Sequence, residues 1–194
     1  LAVVQNNVKR LLAYSAIAHA GFVLVGVEAA GHGAGESDPG PGVPAVVLYL
    51  LLYSVLVIGS FACVTVVSRS NGGDTSLDAF KGLARRRPAL ALGFTVFLLA
   101  QAGVPFTTGF IAKFGVIQAA AEVDSYAIAL IAMVSAVIAA YLYLKILVAM
   151  WVGEVGEVDA DDETPVAVPF SMGALIFLAA AFTLVVGVYP GWLI

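Results

Sequence analysis

Residues 89–121 form one apolar run whose only charge is Lys113 and whose middle, AGVPFTTG, holds Gly103, Pro105 and Gly109. As one continuous helix it would be roughly 50 Å long, against a membrane hydrocarbon core of about 30 Å. Proline removes a backbone donor and clashes with the preceding turn, and the flanking glycines loosen the chain further. The run is therefore expected to form two half-helices joined by a short unwound segment near mid-membrane depth, broken near 103–109. Irregular backbone is tolerated there only where it faces protein or a water-filled cavity. The other geometry open to the sequence is a tight extramembrane hairpin over 103–108. It would leave two stretches too short to span, which counts against it.

Four further stretches, about 11–29, 43–67, 126–152 and 168–194, are long and apolar enough to cross a bilayer, for which about 20 residues suffice. Composition demands a lipid solvent: 61% of residues are hydrophobic, 11% are charged and the mean hydropathy is +1.02, whereas a soluble domain is roughly a quarter charged. The expected fold class is all-α, a polytopic transmembrane helix bundle of about five spans with one broken helix, in a single membrane domain over 1–194. Charge collects between the spans. Of the nine Lys and Arg residues, all but Lys113 and Lys145 fall on one side if the spans alternate. Basic loops stay in the cytoplasm, so segments 68–88 and 153–167 are expected there and the C-terminus on the outer side. The acidic segment 154–163 does not conflict, because acidic residues contribute little to orientation. The chain opens on an apolar tetrad, Leu1 to Val4, with Lys9 and Arg10 after it. That order is the reverse of a signal peptide and reads as the tail of a helix that begins upstream.

Several function classes are excluded. Cys63 is a single cysteine, and no CxxC, HExxH or phosphate-binding glycine loop is present, so no metal site and no bound redox cofactor is expected in this chain. The basic stretch 81–87 lacks interleaved aromatics and abuts a span. It sets topology rather than binding nucleic acid.

The ionisable residues inside the spans carry what chemistry there is. Lys113 sits one turn past the break, too deep to reach the interface easily, and a lysine there costs several kcal/mol unless it finds a partner or water. It is either a structural cation on carbonyls freed at Pro105 or a proton-exchanging amine. Lys145 lies about two turns from the end of its span and either snorkels or joins a relay. His19, near the middle of the first span, is either a hydrogen-bonded core histidine or a relay member. Glu28 is an interfacial charge or a proton outlet. Tyr14 and Ser15 serve packing and interhelical hydrogen bonding. Tyr126, Trp151, Tyr189 and Trp192 sit at span ends as aromatic anchors.

Residues 9–22 (KRLLAYSAIAHAGF) and 102–114 (AGVPFTTGFIAKF) together resemble the two signatures of the antiporter-like membrane subunits of proton-pumping NADH:quinone oxidoreductase, respiratory complex I. Lysine at 113 is similar to the subunit N (subunit 2) branch, since subunit M typically carries glutamate there; residues 140–145 (AYLYLK) and 187–194 (GVYPGWLI) are similar to that branch too. Ala112 departs from it, where glycine is frequent. The resemblance implies an inverted-repeat antiporter-like fold, of which this chain would be the C-terminal part, with the upstream half missing. It implies that Lys113 takes part in a proton path, and that His19 is the signature histidine. It places NADH, FMN, iron–sulfur clusters and quinone in partner subunits, and makes the other membrane and peripheral subunits of complex I, the bilayer and protons the partners. The localisation implied is a bacterial cell membrane. Multisubunit cation/proton antiporters share both signatures in looser form and are the alternative.

Overall fold

Every long apolar run is helical, because backbone surrounded by hydrocarbon must satisfy its N–H and C=O groups within one segment. A computed structural model describes residues 4–32, 40–153 and 168–192. The helices are α1 (Val8–His32), α2 (Gly42–Ser70), the short α3 (Leu83–Arg86), α4 (Pro88–Ala102), α5 (Thr108–Glu122), α6 (Tyr126–Trp151) and α7 (Phe170–Val188). Of these, α1, α2, α6 and α7 are long and apolar enough to cross a membrane. The 15-residue α4 and α5 would each reach only about 22 Å. The expectations for 33–39, for the acidic segment 154–167, for 1–3 and 193–194, and for the Trp192 side chain lie outside the described residues.

How the two half-helices sit against α2 decides between a broken span and a hairpin. Leu56, Cys63 and Val67 of α2 share one buried cluster with Leu90, Phe94 and Phe97 of α4. Tyr49 and Leu52, further toward the start of α2, share another with Ala112 and Val116 of α5. The halves therefore occupy successive stretches of α2, as one interrupted span does. A hairpin would lay both along the same stretch.

Two boundaries differ from the sequence reading. The break runs from 103 to 107, and Gly109 lies inside α5. The last helix ends at Val188, short of the expected 194. Pro190 has no N–H to continue it and disfavours helical geometry in the residue before it. Tyr189 accordingly adopts φ −122, ψ 72, and 190–192 form a single 3-10 turn.

The interior is mainly apolar but also holds polar groups, and the outside is apolar as well. Ser15, His19, Ser60, Gln101, Thr108 and Lys113 are buried, whereas Ile17, Leu24, Ile131, Val137, Phe177 and Leu178 are exposed. So much exposed apolar surface is unfavourable in water; lipid permits it. The two ends are chemically distinct. At one, Asn7 Nδ2 donates to Thr75 Oγ1 at 2.8 Å, and Arg86 Nη2 to the Ala79 and Lys81 carbonyls at 3.0 and 3.2 Å. These contacts tie the basic segments together. At the other, Ser125 Oγ donates to Glu28 Oε1 at 2.6 Å and joins α1 to the turn before α6.

Candidate functional site

The break is built from ordinary helix-ending chemistry placed at an unusual depth. Gly103 takes the left-handed conformation, φ +93. The Gly103 N–H donates to the Ala100 carbonyl at 2.9 Å and the Val104 N–H to the Leu99 carbonyl at 3.1 Å, the paired bonds that close a helix C-terminus on glycine. The carbonyls of Gln101 and Ala102 are left over. In a continuous helix the residue at 105 would bond back to Gln101, and proline has no N–H to do so. After the break, Thr107 restarts the helix: its extended backbone (φ −126, ψ 156) places Oγ1 to accept from the Phe110 N–H at 3.4 Å.

Lys113 fills the gap. Its Nζ donates to the Gln101 carbonyl at 2.7 Å and to the Ala102 carbonyl at 3.1 Å. The ammonium thus lies at the negative end of the α4 dipole. It also lies 5.2 Å from the centroid of the Phe22 ring, within range of a cation–π attraction. Lys113 is only 5% exposed, and among the described residues no carboxylate pairs with it. The contacts expected of a structural cation are all present, and among the described residues they are made by carbonyls and a ring rather than by a carboxylate.

Across Phe22 lies a chain of hydroxyls centred on His19. Its Nδ1 is 2.6 Å from the Tyr49 hydroxyl and its Nε2 2.9 Å from the Tyr143 hydroxyl; Tyr143 in turn is hydrogen-bonded to Ser15. The imidazole stacks on Tyr53 with centroids 4.1 Å apart. A neutral imidazole donates from one nitrogen and accepts at the other. Exchanging the two tautomers while the hydroxyls rotate reverses the whole chain Ser15–Tyr143–His19–Tyr49, an arrangement that can pass a proton without burying net charge. Near the break, Gln101 Nε2 donates to Ser60 Oγ, and the Thr108 hydroxyl is buried without a protein partner.

The sequence singled out Lys113 and His19, and both lie on this buried polar axis. It singled out Lys145 as well, which is held at the basic end: its Nζ donates to the Gln5 carbonyl at 2.7 Å and to Asn6 Oδ1 at 3.0 Å. Glu28 lies at the opposite end, with Oε1 on His32 and Ser125 and with Oε2 buried and unpartnered. Tyr49, Tyr143 and Gln101 were not singled out. The available signal was a phenol or an amide well inside a span, where aromatic anchors have no reason to be.

The geometry has counterparts. A family model described as NADH:quinone oxidoreductase/Mrp antiporter, transmembrane, matches residues 1–139. The chain is 44% identical over 191 residues to NADH-quinone oxidoreductase subunit N 3 of Streptomyces griseus, covering 98% of this chain and 32% of that protein. It spans about a third of the length of the curated relatives it matches. Among solved structures, a chain of respiratory complex I from Thermus thermophilus superposes with a TM-score of 0.76 at 28% identity, covering 98% of this chain and 40% of that one. A chain of the Mrp complex from Dietzia sp. superposes at 0.80 with 22% identity, covering 99% and 42%, a likeness of fold alone.

Proposed function

We propose a function from one premise: this chain belongs to the NADH:quinone oxidoreductase/Mrp antiporter transmembrane family. The chain is part of a proton-translocating membrane subunit of NADH:quinone oxidoreductase, and it moves protons while other subunits carry electrons from NADH to quinone. The observation that carries this reading is the Lys113 ammonium, held at 2.7 and 3.1 Å by two carbonyls of an interrupted span. The level of identity to relatives named subunit N favours the respiratory enzyme over the cation/proton antiporter.

The mechanism follows from electrostatics. Protonated Lys113 is stabilised by the exposed carbonyls and the end of α4. A second positive charge brought to about 4 Å would raise its energy by about 4 kcal/mol at an effective dielectric near 20. That works against the charged form and favours release of the proton. His19 and its tyrosines supply the neighbouring acceptor chain, and Lys145 stands at the basic end as a candidate point of uptake. NADH, FMN, the iron–sulfur clusters and quinone are held by the partner subunits. The protein resides in the cell membrane with its basic end in the cytoplasm.

A tag on the full-length subunit tests the assignment. The purified material is expected to contain flavin and iron–sulfur subunits and to oxidise NADH with quinone, and its vesicles to take up protons when NADH is added. Recovery with antiporter-type membrane subunits alone, together with sodium-sensitive growth on deletion, would overturn the reading in favour of the antiporter.

Tyr143→Phe gives a finer test of the path. It keeps the ring and removes the hydroxyl that joins Ser15 to His19. Loss of one link should slow NADH-driven proton uptake about tenfold, near 1.4 kcal/mol on the barrier, with assembly on a native gel unchanged. Wild-type uptake in Tyr143→Phe would remove this chain from the path.

A further inference from the structure

On the flank of the bundle, a groove of about 510 Å³ lies between α4 and α7, lined by Leu92, Gly93, Val96, Ile176 and Phe177 among others, with Arg87 at one end. The lining is otherwise apolar, and its rim residues Leu92 and Phe177 are 54% and 71% exposed. Arg86 donates through Nη2 to two backbone carbonyls of the 71–87 segment. The Nε atoms of Arg86 and Arg87 are both buried with no protein partner, but of the two only Arg87 lines the groove. Arg87 also stands at the N-cap of α4, and its side chain does not cap that helix. The first-turn N–H groups of α4 therefore add their partial positive charge at the same place.

We propose that this groove is a specific site for an anionic phospholipid, with the phosphate on the Arg87 guanidinium and one acyl chain running along α4 toward Val96. From 87 to 96 the helix rises about 13 Å, a dry, linear track that starts from a cation at the membrane surface. An occupant that fits must join a negative head to an unbranched apolar tail, and an anionic lipid does so in one molecule. Basic residues at the mouths of grooves between transmembrane helices select such headgroups. The site is independent of the proton path: its residues lie outside the buried axis of Lys113 and His19.

The test uses the full-length subunit in its assembled complex, reconstituted in vesicles with trace photoactivatable phosphatidylglycerol or phosphatidylcholine, each with the reactive group in the acyl chain. Phosphatidylglycerol is expected to label peptides covering 89–96 and 173–180 roughly fivefold more than phosphatidylcholine, the factor of one basic side chain at an anionic headgroup. R87Q should bring the two lipids to parity, and Ala89→Trp, which fills the mouth of the groove, should lower labelling by both. Equal labelling in the unsubstituted complex would mean ordinary annular lipid, and no labelling by either would mean a protein partner covers the groove. Both results overturn the proposal. The comparison in the unsubstituted complex needs no variant, so a failure of R87Q to assemble does not weaken it.

Discussion

Lys113→Met in the full-length subunit is expected to lower NADH-driven proton pumping at least tenfold while the complex still assembles. Methionine matches the length and apolar stem of lysine, so the space beside Gly103 and Phe22 stays filled. What disappears is the donor to the Gln101 and Ala102 carbonyls at 2.7 and 3.1 Å. A proton crossing that region would then have no amine to rest on, and a bare charge in a low-dielectric interior costs several kcal/mol. Each 1.36 kcal/mol added to the barrier is a factor of about ten in rate. The paired substitution Lys113→Arg separates the two readings of this residue. Arginine keeps a cation on the carbonyls and does not release its proton. If Lys113 is a structural cation, Lys113→Arg should pump almost normally and Lys113→Met should fail to assemble. If it exchanges protons, both should assemble and neither should pump. Proton uptake by inverted vesicles, read beside a native gel, distinguishes these outcomes. Unchanged pumping in Lys113→Met would exclude the role.

Much of this site was legible in the sequence because its signals are local. A proline between glycines in an overlong apolar run breaks a helix wherever it sits, and a lone lysine about a turn past the break is within reach of the carbonyls that the break exposes. The rest depends on geometry between helices. The helices are apolar nearly all round, so periodicity does not say which face turns inward. Tyr49 and Tyr143 are phenols in apolar runs, and only the rotation of α2 and α6 about α1 brings their hydroxyls to the two nitrogens of His19. The last span was read too long for the opposite reason: residues 189–194 remain apolar, but Pro190 ends the helix by stereochemistry, whatever the hydropathy.

Gly109 was the most instructive misreading, and it leads to the second large effect. Read as a loosening residue, it is instead the point where α5 touches α4: a Cβ built on it would overlap the Ala100 carbonyl. Gly109→Ala should normally favour a helix by about 1 kcal/mol. Here the obstacle is backbone, which cannot swing aside as a side chain tip can. The first turn of α5 must move off the last turn of α4, and we expect a net destabilisation of about 3 kcal/mol. Gly103→Ala provides the scale. It meets left-handed strain of about 1–2 kcal/mol, with its Cβ 3.2 Å from Lys113 Cδ, the end of a flexible chain that can give way. Thermal unfolding of the purified complex should therefore rank Gly109→Ala as the more damaging, against the order that helix propensity alone would give. The same displacement would draw Lys113 Nζ away from its two carbonyls, so any Gly109→Ala complex that does assemble should pump poorly. A Gly109→Ala complex as stable as the parent would show that α4 and α5 are not locked together at Ala100, and the amine would then have no fixed seat.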